Sequence, residues 1–304
     1  MVFLIRRLTA AGAVLFGTFT LVFLVLFWLP GDPALLVAGD EASPVTVANL
    51  RVRLGTDVPI WQQYAKSLDR LAHGDFGTSF STNEPVSQRL AAQFPATVEL
   101  TVCACAIAIL AGVALGVTAA VQRGGWLDHT IQTGMLFFTS MPAFWLGILL
   151  ILLFSVRLRW LPALGSGTLR QLILPSLCLG LATSARLARM VRNSVIDVLD
   201  APFVTTLRGK GLREHQVLYR HVLRNALIPV ITVFGLLVGE LISGAVVVET
   251  LFARQGVGRL LVEAVGVKDI PVVMGVTMLA SCLYVTINLL VDISYLWIDR
   301  RLTA

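Results

Sequence analysis

The residues able to attack, ligate or transfer are few and scattered. His73, His129, His215 and His221 stand in separate stretches, and none sits beside a glutamate in a zinc-binding pattern. Histidines so placed read as structural. Cys103, Cys105, Cys178 and Cys282 all fall in apolar runs without ligand spacing and read as small hydrophobes. Gly209-Lys210-Gly211 looks like part of a phosphate loop, but the full glycine spacing and the hydroxyl residue after lysine are missing, so this chain is not expected to hydrolyse ATP. No catalytic residue, metal site or cofactor is expected. Glu240 is different, because it interrupts an apolar run among Gly235, Gly239, Ser243 and Gly244. A charge there must face protein, water or a partner, or take up a proton. Two readings stay open: a carboxylate in a helix-lined passage, or a hydrogen-bonded group that joins two helices.

The elements around Glu240 are those of a membrane protein. Of 304 residues, 56% are hydrophobic and 14% charged, against roughly a quarter charged in soluble domains. Soluble enzymes, disordered linkers, extracellular disulfide scaffolds and nucleic-acid binders are thereby disfavoured. The net charge of +6 is explained by basic residues beside membrane helices. Six spans are predicted: Leu8–Gly31, Glu99–Arg123, Thr130–Val156 with a kink at Met141-Pro142, Gln171–Ala185 extended toward Met190, Ala226–Val248, and Ile270–Ile298. Gly112 and Gly116 share a face of the second and permit close helix approach. Asp292, near the end of the last, reads as interfacial.

The domain reading is a first segment and span over 1–31, an extracytoplasmic segment over 32–98, and a core over 99–304 with a cytoplasmic loop at about 191–225. Within 32–98, helices are expected at Pro44–Leu54 and Ile60–Leu71, and turns at Gly74, Gly77 and Asn83. Basic residues of the short connections favour cytoplasmic termini.

The cytoplasmic loop is the most informative stretch. Arg186, Arg189 and Arg192 recur every three residues as a basic stripe. After Gly211, Leu212, Val217, Leu218, Val222, Leu223, Ala226 and Leu227 favour one helical face, while Arg213, Glu214, Arg220, His221 and Arg224 take much of the other. This predicts an amphipathic helix, entered through Gly209 and Gly211. It either covers the bundle surface or docks a soluble protein.

The order of motifs resembles the permease subunit of bacterial dipeptide, oligopeptide, nickel and glutathione ABC importers. The resemblance rests on LIRRLTAAGAVLFGTFTLVFLVLFWLPGDP at Leu4–Pro33, LGTDVPIWQQY at Leu54–Tyr64, GDFGTSF at Gly74–Phe80 and FPATVEL at Phe94–Leu100. It continues in FVTTLRGKGL at Phe203–Leu212, RHVLRNALIP at Arg220–Pro229, GAVVVETLF at Gly244–Phe252 and GVGRLL at Gly256–Leu261. Departures are Pro202, Thr205, Leu207 and Gly209 in the loop, and Arg254-Gln255 where Trp-Pro is frequent.

The resemblance implies an all-α, type I importer transmembrane domain in the bacterial inner membrane. It also implies a second permease, two cytoplasmic ATP-binding subunits holding ATP and magnesium, and an extracytoplasmic binding protein delivering a peptide-like solute. By position, Gly211 is the turn of the coupling loop, Arg208 and Lys210 its basic positions, and the segment through Asn225 the coupling region. Its apolar face is expected to enter a groove of the ATPase. Nickel or glutathione import is the nearest alternative. An ion-coupled secondary transporter using Glu240 and a purely structural membrane protein are more distant ones.

Overall fold

The computed structural model describes residues 2–28, 32–39 and 42–298. The expected Pro30-Gly31 exit and Arg300-Arg301 lie outside the described residues, as does the side chain of Asp292. The described secondary structure is almost entirely helical, with one isolated bridge between Thr78 and Pro85. In chain order the helices are α1 (Val2–Trp28), α2 (Pro33–Ala38), α3 (Pro44–Leu54), α4 (Ile60–Ala72), α5 (Val86–Val121), α6 (Trp126–Ser140), α7 (Ala143–Leu150), α8 (Leu169–Leu199), α9 (Pro202–Gly209), α10 (Glu214–Gln216), α11 (Leu223–Leu251), α12 (Val257–Gly266) and α13 (Ile270–Ile298). Wider π-helical turns over Ile151–Arg157 and Val217–Val222 extend α7 and lead into α11. Among the described residues, five helices are long and apolar enough to cross a membrane, or six if the bent pair α6 and α7 forms one span.

That pair corrects the sequence reading of a kink. Helix α6 stops at Ser140, α7 starts at Ala143, and the two diverge by 107°. Pro142 has no amide hydrogen and holds Met141 in extended backbone, φ −81° and ψ 130°, so the ladder breaks instead of bending. Helix α5 also departs from expectation, because it begins at Val86 inside the supposedly polar interval. Val86 and Leu90 are buried with Val257, Leu260 and Val272, which pulls the helix start back by several turns.

The chain forms two compact units. In the unit Met1–Thr97 with Gln255–Thr286, Phe19 and Phe23 of α1 pack with Met274 and Met278 of α13. Tyr64 of α4 lies against both phenyl rings, with centroids 5.5 and 5.2 Å away, and its hydroxyl is 2.8 Å from that of Thr20. Helix α3 starts on Pro44 with the Ser43 hydroxyl accepting from the Thr46 amide, and ends at Gly55 with φ 70°. Gly74, Gly77 and Asn83 all take positive φ, as turns there require. The loop they shape is held by buried Asp269. Its carboxylate accepts from the Ser79 hydroxyl at 2.5 Å, the Phe80 amide at 3.0 Å and the Ser81 hydroxyl at 2.8 Å.

In the unit Val98–Arg254 with Ile287–Ala304, α8 is the central helix, buried along most of its apolar length. It is one 31-residue helix, much longer than the charge-free run that announces it. A capping box of Thr168 and Gln171 starts it, and residues Leu172 to Val195 face α6, α7 and α11. Close approach uses the predicted glycines of α5. A Cβ on Gly112 would lie 3.0 Å from Leu187, and one on Gly116 would lie 2.6 Å from the carbonyl oxygen of Ala188.

The C-terminal half of α8 is fixed by charge. Arg192 donates Nε to Asp128 Oδ1 at 2.7 Å and a terminal nitrogen to Oδ2 at 2.8 Å. Asp128 also accepts from the Gly124 amide at 3.0 Å and from Gln132 at 2.9 Å. The predicted stripe is therefore divided: Arg192 turns inward to α6, Arg186 pairs with Glu240, and Arg189 is exposed. Periodicity placed all three on one face but carried no information about their acceptors.

Asp128→Ala should destabilise the chain by roughly 3–5 kcal/mol, because it strands a largely buried guanidinium, whereas Asp128→Leu combined with Arg192→Met should cost less than that single change. Thermal unfolding of both variants in detergent checks the order. Asp269→Ala should cost roughly 2–3 kcal/mol and expose the 77–85 loop to limited proteolysis, since buried Ser79, half-buried Phe80 and the Ser81 hydroxyl lose a charged acceptor.

Candidate functional site

The loop region between α8 and α11 is built around a single obligatory glycine. Gly211 has φ 79°, and a Cβ there would meet nothing within 4 Å, so the requirement is conformational and not steric. Gly209, by contrast, closes helix α9 with ordinary helical backbone. Of the two glycines expected to set the entry angle, only Gly211 needs to be glycine. Across this turn Arg208 grips Glu214, with Nε to Oε1 at 2.8 Å and a terminal nitrogen to Oε2 at 3.2 Å. The carboxylate raises the guanidinium pKa above its ordinary value. The pair ties α9 to the start of α10, a junction that sequence reading named residue by residue but did not connect.

The apolar side of this region is already occupied within the chain. Val204, Val217, Val222 and Ala226 have no exposed surface and pack with Leu187, Val191 and Val195 of α8. Leu207, Leu212, Leu218, Leu223 and Leu227 are partly buried on the same cluster. This corrects the expectation that the apolar face enters a partner's groove. Nor is there a free-standing amphipathic helix, because α10 passes through the π-helical turn Val217–Val222 directly into α11. What faces outward is Phe203 and Tyr219, 40% and 67% exposed, with Lys210, Arg213, Arg220, Arg224 and Asn225 exposed and His221 half-buried. Phe203 and Tyr219 were not singled out from the sequence, although two aromatics flanking a basic loop are a readable docking signal.

Glu240 lies on α11, one helix beyond this region. Its side chain is 55% exposed on the chain, and its partner is Arg186 of α8, itself 40% exposed. The carboxylate is thus neither buried nor alone. Both charged groups stand on membrane-length helices yet face out of their own chain, so the surface they meet must be wet or protein-covered. A third pair closes the opposite end of α11: Arg254, only 1% exposed, donates to Glu99 of α5 at 2.7 Å. Arg254 was noted from the sequence only as a departure from Trp-Pro.

No group of three His, Cys, Asp or Glu side chains among the described residues is placed to hold a metal ion. The cysteines carry no such cluster: Cys178 is buried and donates to the Ala143 carbonyl at 3.2 Å, while Cys282 is exposed.

Comparison with known proteins assigns this architecture. Residues 112–304 match the family described as binding-protein-dependent transport system inner membrane component, and residues 1–101 match its N-terminal companion. A putative peptide transport system permease protein of Brucella abortus is 44% identical, with 98% of each chain covered. The glutathione transport system permease protein GsiC of Pectobacterium atrosepticum is 45% identical, with 96% of each covered. Among solved structures, the inward-facing MetNI methionine ABC transporter superposes with a TM-score of 0.60 at 18% identity, covering 70% of this chain and 97% of that one. That likeness shows a type I importer membrane fold. The chain is a multi-pass transport subunit and belongs to the family of inner-membrane components of binding-protein-dependent ABC importers.

Proposed function

We propose that this permease couples ATP hydrolysis in separate cytoplasmic subunits to inward movement of a peptide-like solute, with both termini cytoplasmic. The observation that carries the reading is the Gly211 turn, locked by Arg208 and Glu214 and seated through Val204, Val217 and Val222 on α8. A load applied to the exposed side of this turn passes into α8 and α11 without a soft joint. Phe203 and Tyr219 would supply apolar anchors, and Lys210, Arg213, Arg220 and Arg224 would orient the ATPase. A second permease completes the passage, and an extracytoplasmic binding protein delivers the solute.

The solute class rests on relatives of nearly equal similarity, one described as a peptide permease and the other as a glutathione permease. Short peptides are the leading reading. Glutathione, itself a small peptide, is the second. Ligand binding by the cognate extracytoplasmic protein decides between them. Pairing with Arg186 favours Glu240 as a fixed charge at the passage or at the contact with the second permease, and disfavours a lone proton-exchanging carboxylate.

Gly211→Val should leave membrane insertion close to wild type but lower both co-purification with the ATPase and solute uptake about tenfold or more, since a β-branched residue resists φ near +79°. Gly209→Ala is the matched control and should transport normally; equal behaviour of the two variants removes Gly211 from the coupling role. In a chain whose four cysteines are replaced, Glu240→Cys should react with a charged, membrane-impermeant thiol reagent in the assembled importer. Failure to react, with assembly intact, assigns the position to a dry helix contact.

A further inference from the structure

A cavity of about 170 Å³ lies wholly within the unit Met1–Thr97 with Gln255–Thr286. Its floor is apolar, made by Phe19 and Phe23 of α1 with Met274 and Met278 of α13, all four buried. Its rim is cationic. Lys66 and Arg70 stand one turn apart on α4, both exposed, and no described carboxylate is within ion-pair distance of either. Asp75 shares the rim, but one of its carboxylate oxygens is occupied by the Gly77 amide at 2.8 Å.

The level of the cavity in the membrane follows from its walls. Helices α1 and α13 are membrane-length and apolar, and the cavity meets the last turns of one and the first turns of the other. Trp28 and Trp61, 78% and 66% exposed, stand at this end of α1 and on α4. Such aromatics belong to the headgroup layer. Unpaired cations here, above a hydrocarbon-like slot, complement an anion attached to an apolar chain. An inorganic anion would leave the slot unfilled, and a neutral lipid would leave the cations unmatched.

We propose that this cavity binds an anionic phospholipid, its phosphate at Lys66 and Arg70 and an acyl chain against Phe19, Phe23, Met274 and Met278. The bound lipid fastens amphipathic α4 to the two spans beside it. Its occupancy makes the stability of this unit depend on the anionic lipid content of the membrane. The inference needs membrane insertion only and is independent of how transport is driven.

The full chain, purified in neutral detergent, would be titrated with dioleoyl phosphatidylglycerol, dioleoyl phosphatidylcholine or inorganic phosphate, with thermal unfolding and native mass spectrometry as readouts. Wild type should bind phosphatidylglycerol about tenfold more tightly than phosphatidylcholine, and added salt should narrow that difference. Lys66→Gln with Arg70→Gln, two changes at exposed positions, should bring phosphatidylglycerol down to the level of phosphatidylcholine. Equal affinity of wild type for the two lipids overturns the proposal. So does an unchanged preference in the double variant, and so does equal stabilisation by inorganic phosphate, which would mark a simple anion site.

Discussion

The ion pair between Arg192 and Asp128 shows the constraint under which this protein folds. A charge carried on a membrane-length helix needs a partner, because the surrounding hydrocarbon offers none. Asp128 meets that need with two bonds from Arg192 and further donors from Gly124 and Gln132, so the junction of α6 with α8 has one geometry. Arg186 with Glu240 joins α8 to α11 in the same way, and Arg254, in the loop just after α11, meets Glu99 of α5. The three pairs differ in exposure. Asp128 is sealed within its own subunit, whereas Glu240 and Arg186 keep open surface for a neighbour or for water.

The same helix that receives these charges also receives the loop. Val191 and Val195 of α8 pack with Val204, Val217 and Val222, while Arg192 between them binds α6. Displacement of the Gly211 turn therefore cannot be absorbed locally, since both sides of α8 are close-packed. Stiffness of this kind suits the proposed coupling to a separate ATPase.

Much of the fold was legible in the sequence. Helix α3 has the expected limits, α4 extends one residue past them, and positive φ falls on Gly74, Gly77, Asn83 and Gly211, where turn residues announced it. Gly112 and Gly116 admit α8 as small-residue spacing predicts. Three readings missed. Pro142 breaks its span sharply, the start of α5 is drawn back into a polar stretch, and the apolar face after Gly211 is consumed inside the subunit. The break at Pro142 is a local effect stronger than a kink, whereas in the other two the deciding contact is made with residues distant in the chain, which a local pattern does not contain. Asp269 went unremarked for the same reason: its donors, Ser79 to Ser81, are far away in sequence.

By itself the sequence determined that the chain enters a membrane, roughly where it does so, and which loop carries a left-handed glycine. Those properties follow from local hydropathy, periodicity and backbone sterics. Only the tertiary structure decided which charge meets which, which apolar face is spent on the chain's own core, and where unmatched cations stand above an apolar slot. Pairing and burial are set by the approach of separate helices, and the cost of an unmatched charge fixes that approach only once the helices are packed.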